Sequence, residues 1–235
     1  TRFKTTQTCQ ICGEHMTIKA VIFDLDGTLV DSAPDLMLAT NHVLSRLERR
    51  AITMDEVRSF VGHGAKALIA RGCAATGDAI DEKTLDFYFA EFLRFYEKNI
   101  AVNSVAFPGV VNLLKRCAAG GLKMGVCTNK LEGLSVRLLQ ALGMEKYFGA
   151  IVGPDTINIA KPHPAPYLET MKRLGVPSKD SIMIGDSETD VLTARAVGVP
   201  VIGVTFGYTQ KPVATYNPDY LVSHFDEIWD IIQRQ

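Results

Sequence analysis

A chain of 235 residues with 47% apolar and 22% charged side chains can bury one large core or a core carrying a smaller insert, and its composition excludes a disordered or collagen-like protein. Its 25 basic and 26 acidic residues nearly cancel, which gives no electrostatic footprint for nucleic acid, and no basic run marks an anionic membrane surface. No apolar stretch approaches the ~20 residues that cross a bilayer, and the N-terminus has no apolar signal region, so the reading is a cytoplasmic protein, monomeric or homodimeric, with a small-molecule partner.

Residues 1–15 stand apart. Cys9-Gln-Ile-Cys12 followed by His15 resembles half of a zinc knuckle, but a closed structural site needs four ligands and no fourth is near. His15-Met16 has the form of a cloning junction before a start methionine, so residues 1–15 read as a cloning-derived leader. Cys73, Cys117 and Cys127 lie in apolar segments and read as buried reduced thiols.

The first strong element is Lys19-Ala20-Val21-Ile22-Phe23, a short apolar run rich in β-branched and aromatic residues, as expected of a buried parallel strand. Asp24-Leu25-Asp26-Gly27-Thr28 follows, at the strand end where open α/β sheets bind ligands. Two aspartates this close repel unless a cation or proton intervenes, which points to a divalent metal with one carboxylate as nucleophile and the other as proton carrier.

Next comes a helical stretch. Ser32 is positioned to cap a helix begun by Pro34 and Asp35, and Leu36, Ala39, Val43, Leu44 and Leu47 recur at helical spacing. Thr53 with Glu56 makes a capping-box signature. Helices are expected over about 65–74 and 81–98, and no strand between Asp31 and Ser104. Residues 32–104 therefore read as an all-helical cap inserted into a core of residues 16–31 and 105–235, with hinges near 31–33 and 103–107.

From Phe107 helices and strands alternate, with strands expected at 122–127, 150–152, 181–185, 201–204 and near Tyr220. This alternation predicts a doubly wound, Rossmann-like parallel sheet flanked by helices. It would gather Thr128, Lys161 and Asp186 at the sheet edge that carries Asp24 and Asp26. Each has an ordinary reading as a cap or surface residue, but together they match phosphoryl chemistry. Thr128 and Lys161 supply donors for non-bridging oxygens, Asp24 and Asp186 supply hard ligands for a metal, and Asp190, one helical turn past Asp186, suits a supporting place or a pair with Lys161.

The ordered set Asp24-Leu25-Asp26-Gly27-Thr28, Thr128-Asn129, Lys161-Pro162-His163-Pro164 and Gly185-Asp186-Ser187-x-x-Asp190 resembles the haloacid dehalogenase superfamily of aspartate-nucleophile phosphotransferases. That resemblance implies a Rossmann-like core with a helical cap after the first strand, an aspartyl-phosphate formed on Asp24, and Asp26 protonating the leaving alkoxide and then activating water. It implies Mg²⁺ held by the Asp24 carboxylate, the Asp26 main-chain carbonyl and the Asp186 carboxylate, with Thr128, Asn129 and Lys161 on the phosphate. The dehalogenases themselves lack the second aspartate, so Asp26 argues for phosphate-ester chemistry.

Within the superfamily the chain is most similar to the phosphoglycolate phosphatases, on Val30-Asp31-Ser32-Ala33-Pro34, Val61-Gly62-His63-Gly64-Ala65, Cys127-Thr128-Asn129-Lys130 and Val204-Thr205-Phe206-Gly207-Tyr208. Gly62, His63 and Gly64 are then the loop expected to choose the substrate, with His63 departing from the asparagine that relatives often carry. The implied partner is a small phosphorylated metabolite, 2-phosphoglycolate first. A phosphatase or phosphomutase for a sugar phosphate is the alternative, and a phosphoaspartate signalling domain is a reading of another class, against which the helical insert argues, since a receiver has no use for a lid.

Overall fold

A computed structural model describes residues 18–234. The Cys9, Cys12 and His15 group and the expected leader lie outside the described residues.

Six strands form one parallel sheet. In chain order its members are β1 (Ala20–Phe23), β4 (Lys123–Cys127), β5 (Ala150–Val152), β6 (Ser181–Gly185), β7 (Val201–Val204) and β8 (Tyr220–Val222), and their spatial order is β5-β4-β1-β6-β7-β8. Two-residue strands β2 (Val30–Asp31) and β3 (Val105–Ala106) pair antiparallel in a separate ribbon. The helices are α1 (Ala33–Arg46), α2 (Met54–Phe60), α3 (Ala65–Thr76), α4 (Glu82–Lys98), α5 (Val110–Ala119), α6 (Glu132–Ala141), α7 (Pro154–Ile157), α8 (Ala165–Leu174), α9 (Glu188–Val197) and α10 (Asp226–Ile232).

The sheet is buried on both faces, as period-2 strands of continuous apolar residues require. Val21 and Phe23 of β1 join a cluster with Leu113 and Leu114 of α5, Leu138 and Leu139 of α6 and Ile228 of α10. Ala20 and Ile22, one residue out of phase, join Tyr167 and Met171 of α8 and Val191 and Ala194 of α9. The result is a three-layer, Rossmann-like α/β architecture.

Chain winding fixes where a ligand can sit. From β1 the chain moves outward through β4 to β5, then returns to β6 on the opposite side of β1 and winds the other way. The crevice of such a sheet opens where the winding reverses, at the carboxyl ends of β1 and β6. Asp24 and Asp186 immediately follow those two strands, and the ladder continues past β1, since the Asp24 N–H donates to the Ile184 carbonyl at 2.9 Å.

Helices α1–α4 lie between β2 and β3 in the chain and pack around an apolar cluster that includes Leu36, Val43, Leu44, Ile69, Phe92 and Tyr96. The Thr53–Glu56 capping box forms: the Glu56 N–H donates to Thr53 Oγ1 at 3.3 Å and the Thr53 N–H to Glu56 Oε2 at 2.8 Å. Ser32 departs from its expected role. It makes no side-chain cap to α1, and its hydroxyl instead donates to Asp26 Oδ1 at 2.5 Å.

The two crossings between this helical segment and the sheet are stitched by Asp35, whose carboxylate is 1% exposed. It accepts from the N–H groups of Asn103 and Ser104 at 2.8–3.0 Å, from Asn103 Nδ2 at 2.9 Å and from the Ser104 hydroxyl at 2.6 Å. Among the described residues no helix is long and apolar enough to cross a membrane.

Asp35→Ala strands the buried Ser104 N–H and hydroxyl and frees Asn103, so it is expected to reduce stability by about 3 kcal/mol in urea unfolding. Thr53→Ala, which removes an exposed cap, should cost about 1 kcal/mol. Equal losses for the two variants would show that Asp35 adds nothing beyond an ordinary surface cap.

Candidate active site

At the sheet edge, Asp24, Asp186 and Asp190 bring carboxylate oxygens within 4.8 Å of one another, all three residues being buried. Lys161, with a side chain 1% exposed, is the cation among them: its Nζ lies 2.9 Å from Asp24 Oδ1 and 2.6 Å from Asp190 Oδ1. With all three acids ionised, one ammonium leaves two negative charges uncompensated. Asp24 Oδ1 is buried, and apart from the Lys161 ammonium at 2.9 Å no donor reaches it.

These observations fit a divalent cation bound by hard oxygens. Asp190 is the acid least able to ligate it. Its Oδ1 is taken by Lys161, and its Oδ2 accepts from the Ser187 N–H at 3.0 Å, the Ser187 hydroxyl at 2.6 Å and the Asp186 N–H at 3.2 Å. Asp186 keeps more freedom, since each oxygen meets one donor: Oδ1 the Thr28 hydroxyl at 2.9 Å and Oδ2 the Tyr208 N–H at 2.6 Å.

Burial pushes the Asp24 carboxyl up to about 6, outweighing the lowering effect of Lys161, with Asp190 adding to the rise. Asp186 is also raised well above the ordinary carboxylate range, first by burial and then by Asp190 and Asp24. Burial disfavours the Lys161 charge, but Asp190 and Asp24 more than offset it and hold the ammonium protonated. Burial also pushes the Cys127 thiol up to about 12, which leaves it inert.

Close approach of Asp186 depends on Gly27. Its φ of +89° belongs to the left-handed region, and a Cβ there would fall 2.5 Å from Asp186 Oδ2.

Above the acids is a cavity of about 200 Å³, lined by Asp24, Asp26, Gly62, His63, Gly64, Thr128 and Asn129 on its polar side and by Leu68, Phe89, Phe92, Tyr96 and Leu134 among its apolar residues. The structure thus collects every residue singled out in the sequence: seven line the cavity, while Lys161, Asp186 and Asp190 stand with Asp24 at its base.

Two expectations change in detail. Asn129 was expected on phosphate, but its side chain is spent on main-chain groups: Nδ2 donates to the carbonyls of Gly62 at 2.9 Å and Lys161 at 3.2 Å, and Oδ1 accepts from the Lys161 N–H at 2.9 Å. What it can offer a phosphate is its main-chain N–H. His63 is exposed, and partial burial together with Arg71 lowers its pKa, so the neutral imidazole is favoured and a cationic contact from it is not.

Lys130 was missed as an individual site residue. It is 8% exposed, its Nζ lies 3.1 and 3.2 Å from the two Asp26 oxygens, and it sits 4.4 Å from the centroid of the Tyr96 ring. A lysine just past a strand end reads as solvated, and its partners lie 104 residues earlier in the chain and on α4, so no local signal marks it.

The family model for haloacid dehalogenase-like hydrolases matches residues 21–204. A phosphoglycolate phosphatase of Mesorhizobium japonicum is 40% identical over 91% of this chain and 94% of its own length. One from Caulobacter vibrioides is 41% identical over 88% of each. Among solved structures, that of a predicted phosphoglycolate phosphatase from Haemophilus somnus superposes with a TM-score of 0.86 at 31% identity, covering 92% of this chain and 98% of its own. A predicted phosphatase from Clostridium acetobutylicum superposes with a TM-score of 0.81 at 27% identity, covering 93% and 99%.

The raised acids set a pH dependence for the metal-free protein. A carboxyl whose folded pKa exceeds its unfolded value favours folding as it takes up a proton, and that contribution is lost as pH rises through the folded value. In EDTA the melting temperature should therefore climb by several degrees as pH falls from 8 to 5, through the Asp24 value of about 6. Asp24→Asn should flatten that slope; a slope unchanged in the variant would assign it to other groups.

Proposed function

The chain belongs to the haloacid dehalogenase-like hydrolases, and we propose that within them it is a Mg²⁺-dependent phosphomonoesterase acting on a small phosphorylated metabolite, 2-phosphoglycolate first. The observation that carries this reading is the buried trio Asp24, Asp186 and Asp190 balanced by Lys161 alone, beneath a closed-in cavity. Names of relatives that cover most of the chain at about 40% identity support the ester and the substrate.

In this reading residues 32–104 act as a cap over a core of residues 16–31 and 105–235. A substrate phosphate lies over Asp24, with the Thr128 hydroxyl, the Asn129 main-chain N–H and the Lys161 ammonium on its non-bridging oxygens. Asp24 attacks phosphorus in line, the P–O ester bond breaks, and an aspartyl-phosphate remains on the enzyme. Asp26 gives its proton to the departing alkoxide, then takes one from the water that cleaves the aspartyl-phosphate and releases inorganic phosphate.

Asp24, Asp186 and the Asp26 main-chain carbonyl would hold Mg²⁺, whose positive charge would let an anionic carboxylate approach an anionic phosphate. Asp190 orients Lys161 and the Asp186 turn. The loop Gly62-His63-Gly64 borders the cavity beside Asn129, which donates to the Gly62 carbonyl, and shapes what leaving group fits. Asp26 also favours ester hydrolysis over dehalogenation, since a halide needs no proton on leaving.

A phosphate-release assay over small phosphomonoesters tests the reading. Asp24→Asn is expected to lower turnover at least about a thousandfold, corresponding to about 4 kcal/mol of barrier, while the protein stays folded. A variant that retained a tenth of the wild-type rate would exclude Asp24 as the nucleophile. Asp186→Ala should act through the metal instead: its activity should rise as Mg²⁺ is raised roughly tenfold to a hundredfold beyond what saturates the wild type. An unchanged metal dependence would assign Asp186 to the turn alone.

A further inference from the structure

A hydrolase for 2-phosphoglycolate must recognise a carboxylate, and the chemistry of that ester restricts where it can be. The ester oxygen and the carboxylate carbon are joined through one CH₂, so the carboxylate oxygens stay within about 3–4 Å of the ester oxygen whatever the torsions. If Asp26 reaches the ester oxygen, as the proposed function requires, the substrate carboxylate must lie beside Asp26. A receptor for it is sought there and not at the far rim of the cavity.

Three cavity-lining side chains can carry positive charge: His63, Lys66 and Lys130. His63 is exposed, and its lowered pKa favours the neutral ring. Lys66 already has Asp86 at 2.5 Å and Glu82 at 4.0 Å, with a side chain 41% exposed. Lys130 differs from both, because its side chain is 5% exposed and its ammonium bridges the two oxygens of Asp26. The Asp26 carboxylate at 3.1 and 3.2 Å and the Tyr96 ring at 4.4 Å are the partners that hold this buried ammonium in place.

Tyr96 adds a second observation. Its side chain is fully buried, it lines the same cavity from α4, and apart from the Lys130 ammonium its hydroxyl meets no partner, so its proton has no acceptor. A buried hydroxyl proton left without an acceptor is a standing cost that a ligand can relieve. The Lys130 ammonium also lies against the face of that ring. A cation on the sheet side and a hydroxyl proton without an acceptor on the helical side therefore line the place where a carboxylate one carbon from the ester oxygen must lie.

We propose that Lys130, with the Tyr96 hydroxyl as second donor, is the carboxylate-recognition site of this enzyme and selects esters that carry a carboxylate one carbon from the ester oxygen. This rests on the phosphomonoesterase reading above and deepens it. Lys130 makes charge-assisted contacts to the substrate carboxylate while still holding Asp26, and an ester with a neutral group in that position leaves the ammonium and the hydroxyl without the new partner. Selection therefore comes from buried polar groups that only the right substrate satisfies.

The test compares 2-phosphoglycolate with 2-hydroxyethyl phosphate, which has the same skeleton and an alcohol in place of the carboxylate, in the 235-residue protein with Mg²⁺. Wild type should prefer phosphoglycolate in kcat/KM. Lys130→Met should reduce that preference roughly ten- to a hundredfold, chiefly through KM for phosphoglycolate, and Lys130→Arg should restore part of it. Tyr96→Phe should reduce it roughly threefold to tenfold.

Lys130→Gln, which keeps a donor for Asp26, carries the same comparison should Lys130→Met not fold. Equal losses on both esters would overturn the proposal and leave the phosphatase reading intact. Collapse of the preference in His63→Ala or Lys66→Ala, with Lys130 variants retaining it, would move recognition to the cap loop and also overturn it. Failure of the wild type on 2-phosphoglycolate while it hydrolyses other phosphomonoesters would overturn this inference alone, and failure on every phosphomonoester would overturn the phosphomonoesterase reading with it.

Discussion

One buried ammonium facing three buried carboxylates is the constraint on which the rest of this structure depends. Lys161 touches Asp24 and Asp190 and cannot neutralise Asp186 as well. Charges inside a protein are tolerated when paired and hydrogen-bonded, so the surrounding chain is built to supply donors. Thr28 and the Tyr208 N–H serve Asp186, while Ser187 and the Asp186 N–H serve Asp190. Asp24 Oδ1 has only the Lys161 ammonium at 2.9 Å, and the negative charge that this one lysine leaves among the three acids is what a bound cation would offset.

That constraint explains why so much of the geometry is held by main chain and by small residues. Asp186 can approach the Asp24 strand end because Gly27 has no Cβ, and Gly207 meets the same acid from another side, where a Cβ would lie 2.2 Å from the Asp186 Cβ. Asn129 fixes the Lys161 loop through its main-chain N–H and carbonyl, leaving the lysine side chain free to enter the acid cluster. These are short-range demands on backbone position, and the parallel sheet meets them because β1 and β6 are direct neighbours in register, Phe23 opposite Ile184.

Elements with a period, or with an end signal, were legible in the sequence. β1 and β6 read as apolar runs ending in aspartate, and α1 and α4 as stripes at helical spacing, because burying a face imposes a repeat on the residues. The ribbon β2–β3 and the four-residue helix α7 are too short to impose one; between Asp31 and Ser104 the chain holds helices and no strand, as expected, and the ribbon closes across the two ends of that segment. The acids were legible as a group since strand ends collect them. Lys130, Ser32 and the side chain of Asn129 were not, because each takes its role from a partner that the fold alone brings near: Asp26 for the first two, the Gly62 and Lys161 carbonyls for the third.

Two residues tie the acid cluster to the helical segment, and they do so from opposite sides. Tyr208 donates its N–H to Asp186, donates its hydroxyl to Asp31 and accepts from the Ala33 N–H at 3.0 Å, so the acid and the entry to α1 share one residue. Asn129 holds the Lys161 main chain and reaches across to the Gly62 carbonyl, where Gly64 with φ +86° would bring a Cβ within 3.2 Å of the Asn129 carbonyl. A helical segment anchored at both places cannot shift against the sheet without disturbing either the donor on Asp186 or the loop that carries Lys161. The groups that hold the acids and the groups that border the cavity are therefore joined through shared residues, which is why residues more than a hundred positions apart line one cavity.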